Sequence, residues 1–329
     1  MPQKISILMV GGKRCGKTTV LASLDNQSNK VFNGKMTLDK AQAKTISVLQ
    51  NKVSEMNDYF VDAEPQDFFY PDDSPNLEEV SYEFSLKITG KHKTGISMEF
   101  IDVPGEWFKQ GNIGNDEAKK RIESSDVLII AIDTPYMMEE MDDKLGYGAR
   151  HVETNRSVEI TQFIKSKLSI EKIKNHLILF VPIKCEKYYY LGQLPRVAET
   201  VKKAYAELIG FFASPNLQDN CTVAITPVLS VGGFEFFDFE DGYIFRQKDE
   251  ERRYLPKYCE QPLIYTLAYI LKVLESNNYK GDLFTRFRAF FNEKTVTIID
   301  IKEAFGDAIK SINKDSNSGF VIIQNPFMI

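Results

Sequence analysis

The stretch ILMVGGKRCGKTTVLASL, Ile7 to Leu24, constrains this chain more than any other part of it. The run KISILMV (4–10) is apolar almost without interruption from Ile5 on, as a strand buried on both faces of a sheet must be. Directly after it, GGKRCGKT places Gly11, Gly16, Lys17 and Thr18 in the spacing G-x-x-x-x-G-K-[ST]. A glycine-rich turn between strand and helix lets the backbone of Gly11, Gly12, Lys13, Arg14, Cys15 and Gly16 curl its N–H groups toward phosphate oxygens. The helix N-terminus adds the positive end of its dipole. Lys17 then reaches the outer phosphates, and the Thr18 hydroxyl is a ligand for Mg2+. Thr19 closes the candidate loop and reads as helix surface or packing rather than as a ligand.

A buried strand leading into a phosphate loop predicts a layered α/β fold, and the rest of the chain agrees. Further apolar runs, SYEFSLKI (81–88), ISMEFIDV (96–103), DVLIIAID (126–133), HLILFVPI (176–183) and TVAITPVL (222–229), alternate with helical or loop material. Only TGKHKTG separates the first two of these, too little for a crossover helix, so they are expected to form an antiparallel hairpin at a sheet edge. Helices are expected over 17–25, 36–58, 115–124, 155–168, 196–212 and 260–275, with loops at 26–35 and 214–220. The last ~55 residues hold one helical pattern (300–312) and are small for a core of their own. The expected division is a domain over 1–275, with insertions at 26–80, 105–125, 136–172 and 232–258, and an extension over 276–329 packed on its sheet.

Composition narrows the class of partner. A net charge of −5 gives no general attraction to nucleic acid or to an anionic membrane, so no specific nucleic acid and no membrane is expected. Cys15, Cys185, Cys221 and Cys259 stand far apart with no C-x-x-C spacing, which fits a reducing compartment and neither a zinc site nor a redox pair. The chain enters its first strand by Ile5, which leaves no room for a cleavable signal, and no run of 18 apolar residues occurs. A cytoplasmic protein is expected. His92, His151 and His176 show no ligand spacing.

A phosphate loop needs a carboxylate at the end of a neighbouring strand, and Asp102, closing SMEFIDV, is placed for it. The next residues complete D-x-x-G. The backbone N–H of Gly105 can approach a terminal phosphate closely, so that loss of the phosphate frees the segment after it. With GGKRCGKT and DVPG in this order, the chain resembles a GTPase of the translation-factor-related (TRAFAC) class. Within that class, FIDVPGEWF and the long insertions are similar to the bacterial double-GTPases and GTPase-associated conflict-system proteins. The resemblance covers about residues 1–275. It implies a three-layer P-loop NTPase of Ras-like type, with a mostly parallel sheet and a small C-terminal appendage, that uses Mg2+ and GTP or GDP.

In such GTPases an N-K-x-D motif after the fifth strand reads guanine. Here Ile183, Lys184, Cys185 and Glu186 occupy those places, so the lysine and an acid are kept while the asparagine is lost. The resemblance assigns Lys184 and Glu186 to the base, Glu186 accepting from the guanine N1 and N2 donors. It assigns Ser230 and Val231 of PVLSVGG to a loop whose N–H groups face the guanine carbonyl. The departures leave two further readings open: an ATPase on the same fold, or a solvated KCEK loop.

Lys17 and Gly105 are the expected catalytic positions, with Glu106 where Ras-type enzymes hold a glutamine. A glutamate accepts from water but cannot donate to the γ-phosphate, which predicts slow intrinsic hydrolysis, rescued by a partner's arginine worth about 10³–10⁵ in rate, or else a Glu106 that points to solvent. The first switch of such enzymes supplies a threonine to Mg2+; none occurs between 60 and 81, and Ser74 is the substitute, beside Asp72 and Asp73. The segment 232–258 gathers phenylalanines and tyrosines and reads either as a satellite core or as a docking surface. IDTPYMMEEMDDK (132–144) reads as a solvated helix start. The expected function is a slow GTP-hydrolysing switch that works with a protein effector or assembly subunits, with a non-hydrolysing scaffold as the alternative.

Overall fold

The structure is a computed structural model, and it describes residues 4–32, 35–62, 68–69, 78–89, 96–139, 149–168, 176–239, 243–247, 254–275, 306 and 317–326. Its main sheet is built on β1 (Lys4–Gly11), which lies between β5 (Ile96–Asp102) and β6 (Val127–Asp133) and runs parallel to both. β7 (His176–Ile183) and β8 (Cys221–Ile225) continue the parallel array beyond β6. On the other side β4 (Val80–Ile88) pairs antiparallel with β5, and the edge strand β2 (Met36–Lys40) pairs antiparallel with β4. The far edge is closed by β11 (Val321–Gln324), antiparallel to β8, giving the order β11-β8-β7-β6-β1-β5-β4-β2. Strand order reverses at β1, so the crevice beyond its carboxyl end is where an open α/β sheet takes its ligand.

Helices cover both faces. Alternate residues of β1 go to opposite sides: Ile5, Ile7 and Met9 into one apolar cluster, Leu8 and Val10 into the other. The first cluster is covered by α1 (Lys17–Val31), α2 (Ala43–Asp62) and α10 (Gln261–Glu275). α10 buries Leu263, Ile264, Leu267, Ala268, Tyr269, Ile270 and Val273, more than one stripe, because it packs within the layer rather than on its surface. The second cluster is covered by α3 (Asn115–Ser124), α4 (Thr134–Glu139), α6 (Ser157–Lys167), α8 (Leu194–Ala204) and α9 (Ala206–Phe212). In α8 a proline in the first turn starts the helix, and Leu194, Val197, Ala198 and Val201 recur at helical spacing to make the buried face. Each such side chain contributes about 1.5–3 kcal/mol by leaving water. The result is a three-layer α/β fold around a mostly parallel sheet. Among the described residues no helix is long and apolar enough to cross a membrane.

Several local expectations change. The helix expected over 36–58 is split: residues 36–40 form β2, where Met36 and Leu38 are buried alternately and register with β4, and helix begins only at Ala43. The loop expected over 26–35 is largely helical, since α1 runs to Val31. Tertiary contacts hold that polar extension: the Gln27 amide donates to the Pro256 carbonyl and accepts from Cys259 N, and Phe32 is buried just past the helix end. The helix expected over 196–212 breaks at buried Tyr205, between α8 and α9. The opening of 132–144 is not solvated, because Thr134, Pro135, Met137 and Met138 of α4 are buried. The helical pattern at 300–312 falls outside the described residues apart from Gly306.

The aromatic insertion forms a small second sheet in which β10 (Tyr243–Gln247) pairs with β9 (Phe234–Phe239) on one side and β3 (Phe68–Phe69) on the other. Phe234, Phe236 and Phe245 turn inward against Met56, Val231 and Tyr254, a satellite core that anchors the loop after β8. Phe237 faces outward with the Arg246 guanidinium 4.9 Å from its ring centre.

Candidate functional site

The phosphate loop spans the gap from the end of β1 to the start of α1. Gly11, Gly12 and Cys15 are buried, Lys13 and Arg14 are exposed, and Gly16, Thr18 and Thr19 are half-buried. Arg14 takes a left-handed backbone (φ 61°), which a non-glycine residue adopts only where its surroundings impose it. Beneath the loop, the buried Lys17 ammonium lies 3.3 Å from Asp102 Oδ1 and 3.4 Å and 3.5 Å from the carbonyl oxygens of Gly12 and Gly11. Burial is the largest influence and pulls the ammonium's pKa down, but the Asp102 carboxylate together with Cys15 and Tyr82 outweighs it, and the net shift is upward. Asp102 closes β5 in register with Met9 of β1, so the sheet itself fixes the lysine–carboxylate pair.

Past Asp102 the chain meets the loop again. A Cβ at Gly105 would stand 2.7 Å from the Gly11 carbonyl oxygen, so only glycine allows this approach. Gly105 opens a 3-10 turn, Gly105–Phe108. Glu106, the second residue of that turn, does not face empty solvent: its carboxylate binds the Arg156 guanidinium and lies 2.7 Å from Lys109 Nζ. The hydrogen bond from Lys109 lowers its pKa most, against partial burial, and the charges of Arg156 and Lys13 act in the same direction. The Thr18 hydroxyl hydrogen-bonds to Tyr82 of β4, which is buried near Lys17 and Asp102. Ser74, with Asp72 and Asp73, lies outside the described residues.

The other end of the site is built on a second buried carboxylate. Lys184 leaves β7 in a left-handed conformation (φ 62°) and directs its ammonium to Asp133 Oδ2 at 2.6 Å and to the Arg14 carbonyl at 3.2 Å. It therefore ties the phosphate loop to the ends of β6 and β7. Glu186, fully buried at the start of the short helix α7 (Glu186–Tyr190), accepts from the N–H groups of Val231 (2.7 Å) and Gly232 (3.1 Å) through Oε1. Its Oε2 is buried and has no partner among the described residues. Burial pushes the Glu186 carboxyl up to about 8, against the bonds it accepts. The Ser230 carbonyl accepts from Tyr254 OH at 2.7 Å.

The structure thus brings Glu186 against the loop of Ser230 and Val231, with Lys184 two positions before it in the chain. One detail differs from expectation: the Val231 N–H is turned to Glu186 rather than to open space. Two amides beside a buried carboxyl satisfy it in preference to facing nothing.

Four contributors escaped the sequence reading. Asp133 carried a usable signal, because it closes DVLIIAID as Asp102 closes SMEFID. Tyr82 had none beyond the alternation of its strand. Asn155 and Arg156 end and follow α5 (Ala149–Asn155), inside a stretch expected to be plain helix. The Asn155 amide accepts from Asp133 N at 2.6 Å and donates to the Asp133 carbonyl at 3.1 Å. His151 backs it, with Nδ1 2.9 Å from the Asn155 amide nitrogen, and burial lowers this imidazole's pKa to about 4.

A family model described as Double-GTPase 2 matches residues 5–213. Among solved structures, the chain is similar to the S. cerevisiae Ski7 GTPase-like domain bound to GTP, with a TM-score of 0.36 and 14% identity over 70% of this chain and 43% of that one. It is similar to the same domain bound to GDP and inorganic phosphate, with a TM-score of 0.35 and 14% identity over 90% and 51%. The chain spans about half the length of each of these structures. No curated protein matches.

Proposed function

Because the chain belongs to the Double-GTPase 2 family and is thereby a GTP-binding protein, we propose that it hydrolyses GTP slowly and uses the bound nucleotide as a switch toward protein partners. The observation that carries this reading is the Lys17–Asp102 pair, 3.3 Å apart beneath the phosphate loop, with Gly105 pressed against Gly11. A triphosphate arriving in the loop meets an ammonium held just beneath it by Asp102 and the Gly11 and Gly12 carbonyls, within reach of the outer phosphates once it exchanges those partners. Its terminal phosphate comes within reach of the Gly105 N–H, and the turn behind Gly105 is what nucleotide state controls.

The side chains beside the loop fit Mg2+. They offer a hydroxyl (Thr18) and a carboxylate (Asp102), hard oxygen donors that are few in number, and this ion fills its remaining positions with water and phosphate. When bound, Mg2+ would draw charge from the β- and γ-phosphates. Lys17 holds the outer phosphates, Lys184 fixes the loop against the base end, and the Glu186 carboxylate accepts from the base's N–H edge.

Action with an effector or assembly subunits in the cytoplasm, in a bacterial conflict or defence system, is our reading from the similarity to that group. The test is to denature the purified protein and identify the bases released from it. GDP or GTP at near-stoichiometric amounts, with GTP turning over on incubation, is the expected result. Intact GTP after long incubation makes the protein a nucleotide-holding scaffold, for which the carboxylate at Glu106 is the supporting feature. Adenine nucleotides overturn the base assignment.

A further inference from the structure

The geometry points to an arginine of the chain's own at the phosphate end of the site: we infer that Arg156 acts in cis on the phosphoryl group being transferred. This rests on the reading that GTP is hydrolysed.

Position comes first. The residues before Arg156 lie directly over the phosphate loop, since a Cβ at Gly12 would stand 1.7 Å from the Thr154 carbonyl oxygen. Asn155 is fastened to both backbone groups of Asp133, so this turn cannot drift from the end of β6. Arg156 itself is held in the left-handed conformation (φ 52°, ψ 34°) between α5 and α6, and that kink turns its side chain back toward the turn at Gly105. Its Cδ and Nε are each 3.4 Å from where a Cβ on Gly105 would be.

The bonding state comes second. The Arg156 side chain is 9% exposed, a rare degree of burial for a guanidinium. One terminal nitrogen, Nη2, binds the Glu106 carboxylate, and Nη1 is 3.9 Å from Glu159 Oε1. Nε is buried and donates to nothing among the described residues. A buried N–H without an acceptor, in contact with Gly105, is costly unless a ligand supplies the acceptor. The phosphate end of the site is where an oxygen ligand would come.

Chemistry comes third. In the reaction, water oxygen forms a new bond to the γ-phosphorus while the bond from that phosphorus to the β–γ bridging oxygen breaks. The electron pair of the broken bond goes to GDP. The proton of the attacking water ends on the released phosphate or in solvent. Negative charge shifts toward the bridging and γ-oxygens, and a guanidinium fork is the side chain best shaped to meet it. Glu106 then has a definite role. Without triphosphate it parks the arginine, and its own charge is offset where it would otherwise repel the γ-phosphate.

The test uses the full chain and the variants Arg156→Ala and Arg156→Lys, measuring single-turnover GTP hydrolysis, GDP affinity and formation of a GDP–aluminium fluoride complex, which mimics the phosphoryl in transfer. Expected are a fall in turnover of about a thousandfold for Arg156→Ala, the low end for such arginines, and GDP affinity within about threefold of wild type. The aluminium fluoride complex should form with wild type unaided and fail with Arg156→Ala. Arg156→Lys keeps the charge without the fork and should recover only a small part of the rate, which keeps the test alive if the alanine variant does not fold. Turnover of both variants within about threefold of wild type overturns the inference and leaves the proposed function standing, as does a wild type that holds GTP but traps no aluminium fluoride by itself. A wild type that binds no guanine nucleotide overturns both.

Discussion

The Lys184 ammonium and the Asp133 carboxylate meet at 2.6 Å with almost no solvent between them and the core, their side chains 5% and 0% exposed. Through this pair one residue after β7 and the last residue of β6 are joined, and the lysine's further bond to the Arg14 carbonyl extends the link to the phosphate loop. Base end and phosphate end are therefore one mechanical unit.

Removing one member leaves the other charged and buried. Asp133→Ala should cost about 3–5 kcal/mol of stability, read as a lowered midpoint in urea unfolding, whereas Asp133→Leu combined with Lys184→Met should cost much less. Equal losses in the single and double variants would show that the two charges do not depend on one another.

Lys17→Ala removes the ammonium aimed at the outer phosphates. Charge-assisted hydrogen bonds are worth about 1.5–3 kcal/mol each, so GTP affinity should fall by about tenfold to a hundredfold or more. Titration with a fluorescent GTP analogue reads this directly. Unchanged binding would remove the loop from the nucleotide site.

Asp102→Asn keeps shape and loses charge. Nucleotide binding without Mg2+ should be retained, while the gain in affinity on adding Mg2+ should shrink, because an amide oxygen holds the metal's water shell less firmly than a carboxylate. Magnesium titrations that superimpose for the two proteins would take Asp102 out of metal binding.

Glu186 makes the base end pH-sensitive. Burial raises this carboxyl from 4.5 to about 8, so between those values the folded state keeps a proton that the unfolded chain has lost. Its stabilising contribution is complete below about 4.5 and is lost as pH rises through about 8, at no more than about 1.4 kcal/mol per unit. Guanine N–H donors favour the carboxylate form, so binding releases the proton, and GDP affinity should rise with pH up to about 8 and then level off. Glu186→Gln should bind more weakly at pH 8 and lose the slope. A wild-type affinity flat from pH 6 to 8 would separate Glu186 from the base.

What the sequence disclosed and what it withheld divide along physical lines. Lys17, Asp102 and Gly105 were legible because each is a short-range consequence of a strand's end: the chain leaves a buried strand and must turn at once, and the residues of that turn are adjacent in sequence. Lys184 and Glu186 were legible for the same reason at the end of β7. Arg156 was not, because its role depends on Asn155 meeting Asp133 across 22 positions and on Thr154 lying over Gly12, relations that no local spacing records. Residues 36–40 misled because Met36 and Leu38 fit a helical stripe as well as a two-residue alternation. Only pairing with β4, more than forty positions on, decides for strand. The extra turns of α1 rest likewise on Gln27 finding Pro256 and Cys259.

The strand that completes the main sheet reaches it late. β8 ends at Ile225, and its outer neighbour β11 begins only at Val321, with the Gln324 side chain donating to the carbonyls of Phe212, Gln218 and Cys221 to seat it. During synthesis, therefore, the nucleotide site can assemble while one edge of the sheet still shows a row of unsatisfied amides and carbonyls, open to any extended chain nearby. A chain halted after α10 and before β11 carries every described element of the nucleotide site, yet leaves that edge open and prone to stick to its own kind. Quality control of this chain would then hinge on its last strand rather than on its active centre.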